Sequence, residues 1–371
     1  MASKRKPETQ SHAGGNGITQ PGTSWDGSAP RRITIRDVAR QAGVAISSVS
    51  RVLSNHPHVS DQLRVRVEMA ARELGYRPNH VAHSLRRGNT LSAGFLVGTI
   101  SNPIIADISA SASDVLASNG YATLLVCSEN DPSADVDYLH FLAQRRVSGL
   151  IVSSAADGPD DRLRALLDEL GLPAVMLDRR RLPVPHVSAV VSDHQQGVQA
   201  AVAHLLAQGH RRIALVGGQE HFDPAAARLS GYLRGFETAG LAPDLTLVRS
   251  LGMGRGAGYT AAQQLFGPDR QGPPPTALIA GGNLLLAGVL QALKELRITV
   301  GRDIALVGCD DTDLTRLHSP PITVIARDLA QMGRVAAQAL LDLIDHQTGK
   351  TLVLPTQLEV RESSLCAPKV L

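Results

Sequence analysis

Short apolar runs in this chain end repeatedly in polar side chains or in glycines. VMLD closes on Asp178 and VGCDD on Asp310 and Asp311, while others close on Ser101-Asn102, Ser153-Ser154, Gly217-Gly218 and Gly282-Asn283. Carboxylates accept from hydroxyls, and amides both donate and accept, so residues gathered from such ends suit a small polar ligand. A second set lies in RDVARQAGVAISSVSRVL, Arg36 to Leu53. There Ile46, Ser47, Ser50 and Arg51 are the surface of a short helix. Arginine can donate two bonds to a guanine edge, and serine serves a base or a phosphate.

No catalytic constellation stands beside these sets. There is no G-x-S-x-G elbow, the histidines (HPH at 56–58 included) lack a metal-ligand pattern, and Cys127, Cys309 and Cys366 lie far apart. Gly252-x-Gly254-x-x-Ala257 offers a dinucleotide fingerprint, but the required acid at the next strand end is missing, since Asp269 falls in the DRQGPPP loop. The reading is therefore a binding protein without cofactor, metal or catalytic residues.

Two kinds of element must position these residues. From Arg31 to about Arg87 the pattern is helical: Thr34 stands three residues before Asp37 as in a capping box, and Ser60 to Leu74 carries Leu63, Val67, Ala70 and Leu74 at helical spacing. A helix-turn-helix needs a small residue at the crossing, a turn residue tolerant of positive φ and a buried apolar residue on the second helix. Ala39, Gly43 and Val49 fill those places. From Leu91 onward apolar runs alternate with helical segments, then the alternation restarts at RRIALVGG. This argues for two α/β lobes with covered parallel sheets, meeting near Val190 and again around Pro320, with a ligand cleft outside the strand ends.

The charge is divided in the same way. Residues 1–90 hold 14 Lys and Arg against 6 Asp and Glu, a balance of +8, while the remainder holds 23 against 28, a balance of −5. A basic front on an acidic body suits a nucleic-acid-binding head on a separate domain. No apolar run approaches the roughly 18 residues of a membrane span, and residues 1–30 read as a disordered tail without the apolar segment of a secretory signal.

With GYRPNHVAHSLRRGNT, SNPIIADI, RRVSGLIV, GHRRIALVGG and ALVGCDDT in that order, the chain resembles the lactose/galactose repressor (LacI/GalR) family over nearly all of residues 31–365. The resemblance implies an all-α helix-turn-helix headpiece at 31–78 and a hinge helix and linker at 79–90. A two-lobed α/β effector domain like a periplasmic binding protein follows at 91–365, and 366–371 is a tail. Lobe 1 takes about 91–190 and 327–350, and lobe 2 about 191–326 and 351–365. It further implies that Ile46, Ser47 and Arg51 face bases, and that Thr34, Ser48, Ser50, His58 and Ser60 mostly meet phosphates. Asn79, Ala82 and Leu85 match the hinge positions that enter the minor groove, with Leu85 the wedge that kinks the site.

In the effector domain, Arg228 falls on the family's ligand-clamping arginine and Asp310 on its hydroxyl-binding aspartate, with Asn102 and Asn283 as further polar contacts. The chain departs from the family pattern in three places. Ala45 replaces a capping serine, at a cost of about 1 kcal/mol of cap stability unless Ser47 and Ser48 compensate. Gly282-Asn283 stands where Asn-Asp is frequent, and Met253 where an aromatic often stacks. Arg255 and Arg179 leave room for a sugar acid or phosphorylated sugar. The expected protein is a cytoplasmic, dimeric repressor of a palindromic operator, controlled by a carbohydrate-like effector. A solute-binding protein of the same fold would instead need an export signal and no headpiece.

Overall fold

Asp37 closes the first helical turn: its Oδ2 accepts from the Thr34 backbone N–H at 2.9 Å and from the Thr34 hydroxyl at 2.7 Å. The structure is a computed structural model that describes residues 33–53, 59–74, 91–153, 160–179 and 184–368. The chain divides into two units, Met1–Asn79 and His80–Leu371.

In the first unit, α1 is Ile35–Ala42, α2 Ile46–Leu53 and α3 Asp61–Glu73. α1 stops at Gly43, whose φ of 62° and ψ of 39° lie in the left-handed region that glycine enters without a Cβ clash. The Val44 N–H then reaches back to the Ala39 carbonyl at 3.0 Å and closes the turn. Val38, Val49 and Val67 are fully buried, with Ala39, Val52 and Ala70 almost so. This core of valines and alanines lets three short helices pack closely.

The second unit holds two six-stranded sheets. The first contains β1 (Ser92–Val97), β2 (Ala122–Cys127), β3 (Gly149–Ser153), β4 (Ala174–Leu177), β5 (Val187–Ser192) and β11 (Thr351–Leu354), in the order β11-β5-β4-β3-β1-β2 and all parallel. α4 (Pro103–Ser118) and α12 (Leu329–Ile344) cover one face; α5 (Pro132–Gln144) and α6 (Asp160–Leu170) cover the other.

The second sheet contains β6 (Ile213–Gly217), β7 (Val248–Ser250), β8 (Ala277–Ala280), β9 (Ala305–Cys309), β10 (Thr323–Ala326) and β12 (Gln357–Glu359). Its order is β12-β10-β9-β8-β6-β7, parallel except for β12. α7 (His194–Ala207) and α8 (Asp223–Thr238) lie on one face, α9 (Arg255–Phe266) and α10 (Asn283–Glu295) on the other. A short α11 (Asp313–Leu317) follows β9. α9 and α10 meet backbone to backbone at Gly288, where a Cβ would stand 1.9 Å from the Arg255 carbonyl oxygen.

The chain passes between the sheets after β5, after β10 and after β11. Residues 351–354 therefore belong to the first sheet, whereas the sequence division assigned 351–365 to the second lobe. The reason is register: Thr351 to Leu354 pair with Ala189 to Ser192 before the last crossing. In both sheets the strand order reverses beside the first strand, between β1 and β3 and between β6 and β8. Such switch points open a crevice at the carboxyl ends of the strands.

Candidate functional site

On α2, Val49 and Val52 face the core while Ile46, Ser47 and Arg51 are exposed. Ile46 keeps 46% of its surface open, an unfavourable placement for isoleucine unless something covers it. Ser48 and Ser50 are half-buried, and Thr34 and Ser60 are exposed at the starts of α1 and α3. The Thr34 hydroxyl is committed to Asp37 within this structure. Ala45 holds the position before α2, its carbonyl accepting from the Ser48 and Val49 N–H groups at 2.9 and 3.2 Å. His58, Asn79, Ala82 and Leu85 lie outside the described residues.

In the second unit a cavity of about 260 Å³ opens between the two sheets. Asn102, Arg228, Asn283 and Asp310 all line it, so residues up to 208 positions apart in sequence converge on one space. Asn102 starts α4 and Asn283 starts α10, and the Asn283 Nδ2 donates to Asn102 Oδ1 at 2.8 Å, a direct bond from lobe to lobe. Arg228 projects from α8 and is 4% exposed; Asp310 follows β9 and is 2% exposed.

Sequence reasoning noted Asp178 only as a strand end and missed Arg327 altogether. Asp178 and Asp310 occupy equivalent places after β4 and β9, both at positive φ, 49° and 71°. Between them stands Arg327 at the crossing after β10. Its Nε donates to Asp310 Oδ1 at 2.6 Å and its Nη1 to Asp178 Oδ2. One buried cation thus ties the two lobes at the cavity wall. Burial opposes the charge of Arg327, yet the two carboxylates raise its pKa above the ordinary value. Burial alone would raise Asp178 too, but Arg327, His194 and the Ser192 N–H outweigh it and hold the carboxyl well below the usual range.

Behind this group, His194 is 5% exposed. Burial first, and then the charge of Arg228, push its pKa from 6.5 down to about 4, so the ring is neutral near pH 7. Its Nδ1 accepts from Arg228 Nη2 at 3.3 Å, which leaves the proton on Nε2, 3.3 Å from Asp178 Oδ1.

Phe222 and Met253 supply apolar surface to the cavity. Met253 stands where the family pattern often has a stacking aromatic, and Phe222, which no sequence motif marks, reaches in from the start of α8. Arg255 is exposed, Arg179 is buried, and neither is among the described residues that line the cavity.

This arrangement can hold a small polar molecule. Among the described residues no group of three or more His, Cys, Asp or Glu is placed to hold a metal ion.

The comparisons agree in kind with both sites. A family model described as bacterial regulatory proteins, lacI family, matches residues 34–79, and one described as a periplasmic binding protein-like domain matches residues 202–364. The HTH-type transcriptional repressor PurR of Edwardsiella ictaluri (strain 93-146) is 30% identical over 337 residues, covering 90% of this chain and 98% of the relative. Its counterpart in Pectobacterium carotovorum subsp. carotovorum (strain PC1) is 31% identical over 336 residues, 88% of this chain and 96% of the relative. Among solved structures, the lac repressor dimer bound to operator and the anti-inducer ONPF superposes with a TM-score of 0.77 at 29% identity, covering 91% of this chain and all of the other. A complex of the transcriptional regulator CelR with cellobiose gives 0.66 at 32% identity, over 90% of this chain and all of the other.

Proposed function

Because the chain belongs to the LacI family of bacterial regulatory proteins, we propose that it represses transcription by binding a palindromic operator as a cytoplasmic dimer, under the control of a carbohydrate-like metabolite held in the interlobe cleft. The coarser part follows from membership: the chain is a ligand-regulated, DNA-binding transcriptional regulator, and its relatives are repressors rather than enzymes. None of the described helices is long and apolar enough to cross a membrane.

The observation that carries the reading is α2, whose buried valines fix it against α1 and α3 while Ile46, Ser47 and Arg51 face outward. A helix presented in this way can enter a major groove and offer those side chains to base edges. The remaining roles follow the family: Thr34, Ser48, Ser50, His58 and Ser60 toward phosphates, and Asn79, Ala82 and Leu85 in the minor groove.

Dimerisation is supported by apolar side chains left open on both lobes. Leu124 and Leu125 on the edge strand β2, with Tyr138 and Phe141 on α5, are 36–44% exposed. Leu317 on α11 is 81% exposed, with Leu314 at 40% beside it. Two copies related by a two-fold axis would set two headpieces over the halves of a symmetric site. Effector control then requires that the ligand bind the DNA-competent and incompetent states with different affinity.

The test is to select bound duplexes from a random pool with the full-length protein at fixed salt. A two-fold symmetric consensus bound by two chains is expected. Recovery of a directly repeated or asymmetric site, bound by one chain, would overturn the dimer and palindrome.

A further inference from the structure

We propose that the segment preceding the headpiece docks through Trp25 on the outer face of α3, covering Val65 and Met69. The docked segment clamps the small DNA-binding unit from outside its core.

α3 carries apolar residues on two sides. Val67, Ala70 and Ala71 belong to the core of the three-helix unit. Val65 lies about 200° around the helix from Val67, and Met69 stands one turn further along the same outer face. Each keeps 56% of its surface open. The other exposed large apolar residues of this unit among those described are Ile33 and Ile46. Ile46 belongs to the proposed base-reading face of α2, and Ile33 is where the preceding segment joins. Val65 and Met69 have no part in either, because the phosphate contacts assigned to α3 lie at its start.

The chain supplies an occupant of matching chemistry. Among residues 1–32, Met1, Ile18 and Trp25 are the large apolar members, and Trp25 is the sole tryptophan of the protein. Trp25 precedes the described residues and is separated from Ile33 by eight positions, a span of at most about 29 Å. A unit of this size has a radius of gyration of roughly 9 Å, so the tether reaches any of its faces. So short a tether also gives the indole an effective concentration in the millimolar range, an advantage over a second copy of the chain.

The contacts available on α3 suit an indole followed by an acid. Met69 offers a polarizable thioether to the ring. Arg72, exposed on the same face, can stack on it. Asp26 follows Trp25 and brings a carboxylate toward Arg66 and Arg72, which outnumber Glu68 around the pair; Glu73 already accepts from the Gln41 amide at 3.1 Å. The headpiece gains from such cover because its core is built of small residues, mostly valine and alanine. Units this small bury too little surface to be more than marginal alone, and an indole across two turns of α3 adds apolar burial outside the core.

The experiment uses the full-length protein, in which tryptophan fluorescence reports Trp25 alone. Its emission is expected to be blue-shifted from that of N-acetyltryptophanamide and shielded from acrylamide. Val65→Glu/Met69→Glu changes two exposed positions outside the core, so circular dichroism should be unaltered while the emission moves to that of the free indole. Trp25→Ala should speed amide exchange in α3 by about twofold or more, the factor that the weakest coupling between contacting residues gives. In the Val65→Glu/Met69→Glu background the same substitution should add nothing further.

Three results would overturn the proposal: an exposed indole in the wild type, a buried indole unmoved by the α3 changes, or exchange in α3 that Trp25→Ala leaves unaltered. A blue shift that grows with protein concentration would overturn it as well, since a second copy would then supply the cover.

Discussion

Replacing Arg327 by methionine removes the cation that serves two carboxylates at once. Asp310 is 2% exposed and Asp178 20%, so neither recovers full solvation when the guanidinium goes. Breaking a buried ion pair by deleting one partner costs about 3–5 kcal/mol, and about 4 kcal/mol is expected here at pH 7. With an unfolding entropy near 0.6 kcal/mol/K for a unit of roughly 290 residues, that lowers its melting temperature by about 7 °C.

The pH dependence makes the cause identifiable. In the native protein Asp178 titrates well below its ordinary 3.8, so its contribution is present above that value and fades as pH falls through the folded-state pKa. In Arg327→Met, Asp178 loses the cation that offsets its burial, and its carboxyl titrates above its unfolded value. The folded variant then binds more protons than its unfolded chain, and its stability rises as pH falls toward 4. The deficit should therefore narrow by about half between pH 7 and pH 5, and adding Asp178→Asn and Asp310→Asn should recover much of it. Urea unfolding followed by circular dichroism measures all of these. A deficit under about 1 kcal/mol, or one that does not change with pH, would refute the claim that this triad is a coupled buried charge group.

Further outcomes follow from the same structure. His194 has a folded pKa of about 4 against 6.5 unfolded, so the unfolded state binds more protons between those values. Its contribution is full above about pH 6.5 and declines by about 3 kcal/mol on acidification to pH 4; His194→Gln should flatten that limb in thermal melts across pH. Gly288→Ala would set a Cβ 1.9 Å from the Arg255 carbonyl oxygen. It should destabilise by about 1–3 kcal/mol despite alanine's better helix propensity, as denaturant titration would show. Val49→Ala removes two methyl groups from the fully buried centre of the headpiece, and about 1.5 kcal/mol of destabilisation is expected. Amide exchange should localise that loss to residues 33–74 and leave the cleft's ligand binding intact.

Much of the headpiece was legible because its constraints are local. Ala39, Gly43 and Val49 stand within one short stretch, each residue type answering a distinct steric demand, and the left-handed φ at Gly43 is the demand made visible. The strand ends were legible for a related reason: an apolar run that stops at Asp178, Asn283 or Asp310 marks the crevice side of a parallel sheet. What could not be read was the pairing across the cleft. Arg327 lies 149 residues from Asp178, and nothing in IARD announces which carboxylates it will meet. The last crossing was also hidden, because TLVL at 351–354 fits either sheet until register with Val187–Ser192 decides it. Arg179 and Arg255 were attractive as cations near strand and helix ends, yet only Arg228 among the arginines singled out from sequence reaches the cavity.

The central claim is that the exposed face of α2 reads bases, and parallel selections from random duplexes test it most directly. One selection uses the full-length protein and the other the variant Ile46→Ala/Ser47→Ala/Arg51→Ala, whose changes touch none of the buried headpiece positions. The wild type should recover a symmetric consensus, and the variant should lose preference at defined positions of each half-site while keeping salt-dependent affinity for any duplex. The same consensus from both proteins, or none from the wild type, would contradict the account.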